Sequence, residues 1–124
     1  MFDYTKPTVQ MLGRFQPWHD GHTALFKKAI EKTGQVLILI RSMPEDENNP
    51  YTPEEVRLMI GSALFQNGGY SCYKDFMIQI VPNIVDITYG RDVGYTITQE
   101  HLDPEIESIS ATKIRNEKRA DSLS

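Results

Sequence analysis

Apolar positions along the chain fall into short blocks whose period alternates between strand and helix. The first, Thr8 to Leu12, is a compact apolar run that ends at Gly13, which predicts a buried strand followed by a turn. Helical spacing takes over at once: His22, Leu25, Phe26, Ala29 and Ile30 recur three and four residues apart, so a helix from about Gly21 to Thr33 turns one face inward and stops at Gly34. Gln35 to Arg41, centred on Val36-Leu37-Ile38-Leu39-Ile40, is continuously apolar, the pattern of a central parallel strand covered on both faces. A polar loop, Ser42 to Tyr51, leads into Thr52-Pro53-Glu54-Glu55, where a capping hydroxyl, proline at the first helical position and glutamate at the third predict a helix start. That helix carries Val56, Met59, Ile60, Ala63 and Leu64 and ends at Asn67-Gly68-Gly69. Phe76 to Val81 reads as a third strand, Asp86 to Tyr89 as a fourth, and Ser110 to Arg115 as the capped start of a last helix. Strand and helix in alternation imply right-handed crossovers, hence a Rossmann-like α/β fold, a parallel sheet with helices on both faces.

Composition narrows what such a fold can do. With 124 residues, 40% of them hydrophobic and 24% charged, the chain is expected to form one domain, residues 1–124, around one core. No apolar run approaches the roughly 20 residues that span a bilayer, and the polar start of the chain has no secretory pattern, so no membrane association and a cytoplasmic location are expected. Cys72 is the sole cysteine, which removes an intramolecular disulfide and a thiolate zinc site. A net charge of -4 argues against nucleic acid as a partner. Positive groups gather instead in two segments, Arg14 with His19 and His22, and Lys113 with Arg115, which suits one small polyphosphate better than a long polymer.

The chemistry concentrates at Gly13-Arg14-Phe15-Gln16-Pro17-Trp18-His19-Asp20-Gly21-His22, between the first strand and the first helix, at the carboxyl end of the sheet where open α/β folds bind ligands. Free amides and the helix dipole favour an anion at such a turn, and Gly21 removes a side chain that would obstruct close approach. His19 and His22 stand three apart, so both imidazoles can address one bound group and donate hydrogen bonds to phosphate oxygens as charge develops on a leaving pyrophosphate. Taken singly, either histidine reads as a surface or core residue; the strand, glycine turn, His-x-Gly-His spacing and helix start together point to a phosphate site.

This segment resembles the signature of the nucleotidylyltransferase superfamily that carries the HxGH motif. Gly13 to Pro17 before the histidines, and Asn49-Pro50-Tyr51-Thr52 with Glu55, are similar to nicotinamide mononucleotide adenylyltransferases in particular. Ile109 to Arg115 resembles the family's ISxTxxR segment. The resemblance implies His19, His22 and Arg115 as catalytic residues, and Gly13, Arg14, Phe15, Gly21, Ser110, Ala111, Thr112 and Lys113 around the nucleotide. Tyr89-Gly90-Arg91-Asp92 is similar to a strand end that lies near the nucleotide or acceptor in this superfamily, and Arg57 to a helix arginine of the cytidylyltransferases; with Trp18 they form the acceptor-side candidates. ATP or another nucleoside triphosphate and a phosphorylated small molecule are the implied partners, with Mg²⁺ carried on the phosphates and no protein metal ligands assigned. Asn48 stands where many of these adenylyltransferases carry arginine, and the stretch after Asp92 is short. Three readings therefore stay open: adenylyl transfer to nicotinamide mononucleotide, cytidylyl transfer to an alcohol phosphate such as glycerol phosphate, and a non-catalytic nucleotide-binding module. Association into a homo-oligomer is left open as well.

Overall fold

The computed structural model describes residues 1–91 and 94–100. Five elements follow one another, β1 (Val9–Gly13), α1 (Asp20–Thr33), β2 (Val36–Arg41), α2 (Pro53–Gln66) and β3 (Phe76–Val81). The strands pair in parallel in the order β1-β2-β3, with Met11 opposite Ile38 and Ile38 opposite Ile78. These elements match the periodicity to within a residue or two.

Both helices begin with reciprocal caps. At α2 the Thr52 hydroxyl accepts from the Glu55 amide and the Glu55 carboxylate accepts from the Thr52 amide, with Pro53 preset for the first turn. At the far end of α1, Gly34 adopts φ 85°, a left-handed conformation that favours glycine, and its amide donates to the Ile30 carbonyl.

Side-chain alternation sorts the sheet into two faces. Met11, Val36, Ile38, Ile40 and Phe76 share one face and form a single core with Phe26 and Ala29 of α1 and Val56, Ile60 and Leu64 of α2. Because sequence order equals spatial order, two right-handed crossovers place both helices on that same side. Among the described residues this is the helix-covered face; the last helix, expected from Ser110, lies outside the described residues.

The expected fourth strand is corrected by the structure: residues 86–89 form no strand. Among the described residues their β-branched and aromatic pattern has no neighbouring strand to pack against, and Val85, Ile87 and Tyr89 are all largely exposed. Such a pattern makes a strand only where a partner edge buries one face.

Candidate functional site

The carboxyl end of β1 runs directly into the loop that carries the motif. Gly13 is the last residue of the strand and is not itself in a left-handed turn; the positive φ, 53°, falls on Phe15. The Phe15 ring folds back over Gly13, where a Cβ would lie 2.8 and 2.9 Å from two of its carbons. Glycine is therefore required for space rather than for turning. Phe15, Gln16 and Trp18 are all buried, at 5%, 5% and 7% exposure, so this loop is part of the core and not a surface flap.

His19 is the N-cap of α1 and His22 is its third residue, and the two imidazoles perform the work that a serine and a glutamate do in an ordinary capping box. His19 Nδ1 accepts from the Gly21 amide at 3.0 Å, and His22 Nδ1 accepts from the His19 amide at 3.1 Å. The rings stack at 3.8 Å between centroids and 22° between planes. Phe15 meets His22 edge-on at 5.0 Å, and Trp18 lies 5.2 Å from it at a 38° tilt.

These contacts settle which nitrogens carry protons. Burial pushes the His22 pKa down to about 3, with the neighbouring His19 adding to the shift; burial also lowers His19, opposed by the Asp20 carboxylate. Both rings are thus neutral near pH 7. Since each Nδ1 is an acceptor, each Nε2 holds the remaining proton. The cap produces two neutral N–H donors side by side.

The expectation of free first-turn amides at this helix is revised by the same bonds. The amides of His19 and Gly21 are used by imidazole nitrogens, and those of His22 and Thr23 donate to the His19 carbonyl.

Linkage gives a direct test of the neutral state. The unfolded chain binds histidine protons near pH 6.5 and the folded chain only near pH 3 at His22, so stability is level above about pH 7 and falls as pH drops, by up to about 1.4 kcal/mol per unit from this group. His19 acts in the same direction. Urea unfolding at pH 7, 6 and 5 should show this decline, and a His22→Gln protein should show a shallower one; equal slopes would mean that His22 titrates normally.

Two contacts that the sequence did not reveal join this loop to the loop before α2. Arg14 Nη1 donates to Asn49 Oδ1 at 3.3 Å, and Asn49 is held by the Asp46 carboxylate through its side-chain amide at 3.0 Å and its backbone amide at 2.9 Å. Those bonds and the nearby guanidinium hold Asp46 below the usual carboxylate range, the Asn49 side chain contributing most. Gln16 pairs twice with the Tyr51 backbone, its amide donating to the carbonyl and its oxygen accepting from the N–H, both at 2.9 Å. The resemblance of Asn49 to Thr52 pointed to this segment, but only the fold shows that it braces the histidine loop. Arg41, at the carboxyl end of β2, is a further cation at this edge, with Nε donating to Asn83.

The remaining candidates separate. Gly13, Arg14, Phe15, Trp18, His19, Gly21 and His22 come together at the β1–α1 junction. Trp18 is buried, and its ring is engaged by Phe15 and His22. Arg57 is an exposed α2 residue paired with Glu54 at 2.7 Å. Gly90 and Arg91 are exposed in the segment after β3. Asp92 and Ser110, Ala111, Thr112, Lys113 and Arg115 lie outside the described residues.

As for metal, no three His, Cys, Asp or Glu side chains gather into a ligand set among the described residues. Both imidazole Nδ1 lone pairs are spent on amides. This donor set fits an anion whose own oxygens carry a divalent cation.

Residues 11–67 match the family described as Cytidylyltransferase-like, a stretch running from β1 through α2. Over this stretch, just under half of the chain, the sequence is similar to the nucleotidylyltransferase superfamily. A nicotinamide-nucleotide adenylyltransferase of Picrophilus torridus is 38% identical over 65 residues, 51% of this chain and 38% of the relative. Those of Methanosphaerula palustris and Ignicoccus hospitalis are 42% and 37% identical, over 43% and 59% of this chain and 33% and 43% of their own lengths. Among solved structures, a bifunctional NMN adenylyltransferase/ADP ribose pyrophosphatase of Francisella tularensis, complexed with AMP and a manganese ion, superposes with a TM-score of 0.54 at 29% identity, covering 62% of this chain and 23% of that one. The fold is Rossmann-like α/β, and the matched stretches span less than half the length of each of these relatives.

Proposed function

We propose that this chain acts as a nucleotidylyltransferase that transfers AMP from ATP to nicotinamide mononucleotide and releases pyrophosphate. The observation that carries the reading is the cap of α1, which presents two neutral imidazole N–H donors at the carboxyl end of a parallel sheet. The names of the relatives supply the substrate pair.

An oxygen of the acceptor phosphate attacks the α-phosphorus of the triphosphate; the bond from that phosphorus to the oxygen bridging to the β-phosphate breaks, and its electron pair leaves with pyrophosphate. Nothing in this exchange requires a protein nucleophile, so the protein contributes alignment and charge stabilisation. His19 and His22 donate to phosphate oxygens as charge moves toward the leaving group. Neutral donors suit that task, because they need neither gain nor lose a proton during transfer. Arg14, braced by Asn49, supplies fixed positive charge beside them. By resemblance, Ser110, Thr112 and Arg115, with Lys113 beside them, hold the departing pyrophosphate. Mg²⁺ arriving with the triphosphate would supply charge neutralisation, with none of the described residues assigned as its ligand.

Cytidylyl transfer to an alcohol phosphate is the second reading, favoured by the description of the matching family. Measuring pyrophosphate release for ATP and CTP against nicotinamide mononucleotide, nicotinate mononucleotide, phosphopantetheine and glycerol phosphate decides between them. ATP with nicotinamide mononucleotide should have the highest kcat/KM. A preference for CTP with glycerol phosphate would move the protein to the second reading, and no pyrophosphate from any pair would remove the catalytic one.

A further inference from the structure

The cap of α1 has a second polar device beside the histidine box. A helix start is commonly fastened by an apolar contact between the residue before the N-cap and the fourth helical residue. Here those positions are Trp18 and Thr23, and the fastening is a hydrogen bond, from Trp18 Nε1–H to Thr23 Oγ1 at 2.8 Å. Apolar contacts tolerate rotation, whereas a hydrogen bond is directional and fixes the tilt of the indole as well as its place. Both residues are buried, Trp18 at 7% and Thr23 at 5% exposure, so water offers the indole no ready alternative acceptor.

That fixed indole is one wall of the box around His22. The capping bond at Nδ1 ties one atom of the imidazole and leaves the ring plane to its neighbours. His19 stacks on the ring, Phe15 meets it edge-on, and Trp18 packs against it at a tilt. Phe15 is in turn fixed by its left-handed backbone and the missing side chain at Gly13. We propose that Trp18, pinned through Nε1–H to the Thr23 hydroxyl, is a positioning residue that holds His22 in the orientation and tautomer in which its distal N–H is offered to a phosphate. The catalytic part rests on the phosphate-transfer reading above; the structural part does not.

Three variants separate the two. Thr23→Val keeps the shape and removes the acceptor, Trp18→Phe keeps an aromatic wall and removes the donor, and Thr23→Ser keeps the hydroxyl. Imidazole ¹⁵N shifts of His22 at neutral pH read its tautomer without any substrate, and steady-state kinetics with ATP and nicotinamide mononucleotide reads turnover. In the unmodified protein His22 should show one tautomer, protonated at Nε2. In Thr23→Val and Trp18→Phe the shifts should move toward a mixture, with kcat lower by about tenfold or more and the KM for ATP little changed; Thr23→Ser should restore both. A merely structural role would lower thermal stability and leave the His22 shifts and kcat of the folded protein untouched, which overturns the proposal. Shifts that move while kcat stays constant overturn it too. Absence of transfer in the unmodified protein would sink the proposed reaction, and the ¹⁵N measurement alone would then decide whether Trp18 orients His22.

Discussion

Replacing His22 by glutamine should lower turnover by about a hundredfold or more while leaving the fold in place. Glutamine is the substitution that separates these effects. At the third helical position it is an ordinary capping-box residue, whose side-chain oxygen can accept from the His19 amide as His22 Nδ1 does at 3.1 Å. Its amide is also a neutral donor, but with the oxygen engaged in the cap it does not reproduce the position of the imidazole Nε2–H or the ring packing against Trp18 and Phe15. Alanine would be less informative, because it strips the cap and the donor together. The check pairs single-turnover kinetics with urea unfolding at pH 7. Stability near that of the unmodified protein with turnover lost assigns the donor role to His22, and turnover near normal would place His22 in the cap alone.

Gly13→Ala is the second large effect, reached by a different route. Its Cβ would sit 2.8 and 2.9 Å from carbons of a Phe15 ring that is itself buried and cannot swing into solvent. Something in the core must shift, at about 1–3 kcal/mol for overpacking of this kind. The shift also reaches the site, because the same ring borders His22. Stability and kcat should therefore fall together, and Gly13→Ala combined with Phe15→Leu should recover part of the lost stability, since the two residues are in contact and their effects are not additive. Thermal unfolding of the single and double variants measures this. A single variant as stable and as active as the parent would show that the Phe15 ring is not confined.

Much of the frame is legible in the sequence, because its causes are local. The apolar runs at Val36–Ile40 and Phe76–Val81 are strands in the fold, and Thr52-Pro53-Glu54-Glu55 is a helix start, since a cap is decided by residues within one turn. Gly34 ends α1 for an equally local reason, a left-handed backbone. The misreading at Asp86 to Tyr89 has the opposite origin. Strand propensity there is real, but a strand needs a neighbour, and residues at that distance in sequence do not announce whether they have one.

At the site, residue types and spacing pointed to His19 and His22, and the turn of chain around them pointed to phosphate. Their protonation state was beyond the sequence, because it depends on burial, with Trp18 and Phe15 drawn into the core against His22. So was the bracing of the loop: Arg14 to Asn49 and Gln16 to Tyr51 each join residues 35 apart, brought together only when β1 and β2 pair and α2 packs behind them. The sequence by itself determined the order of elements, the helix starts and the identity of the histidine pair, all set by contacts within a few residues. The tertiary structure decided that His22 is a neutral donor, because the desolvation that lowers it arises only when the loop carrying Phe15 and Trp18 is closed into the common core of sheet and helices.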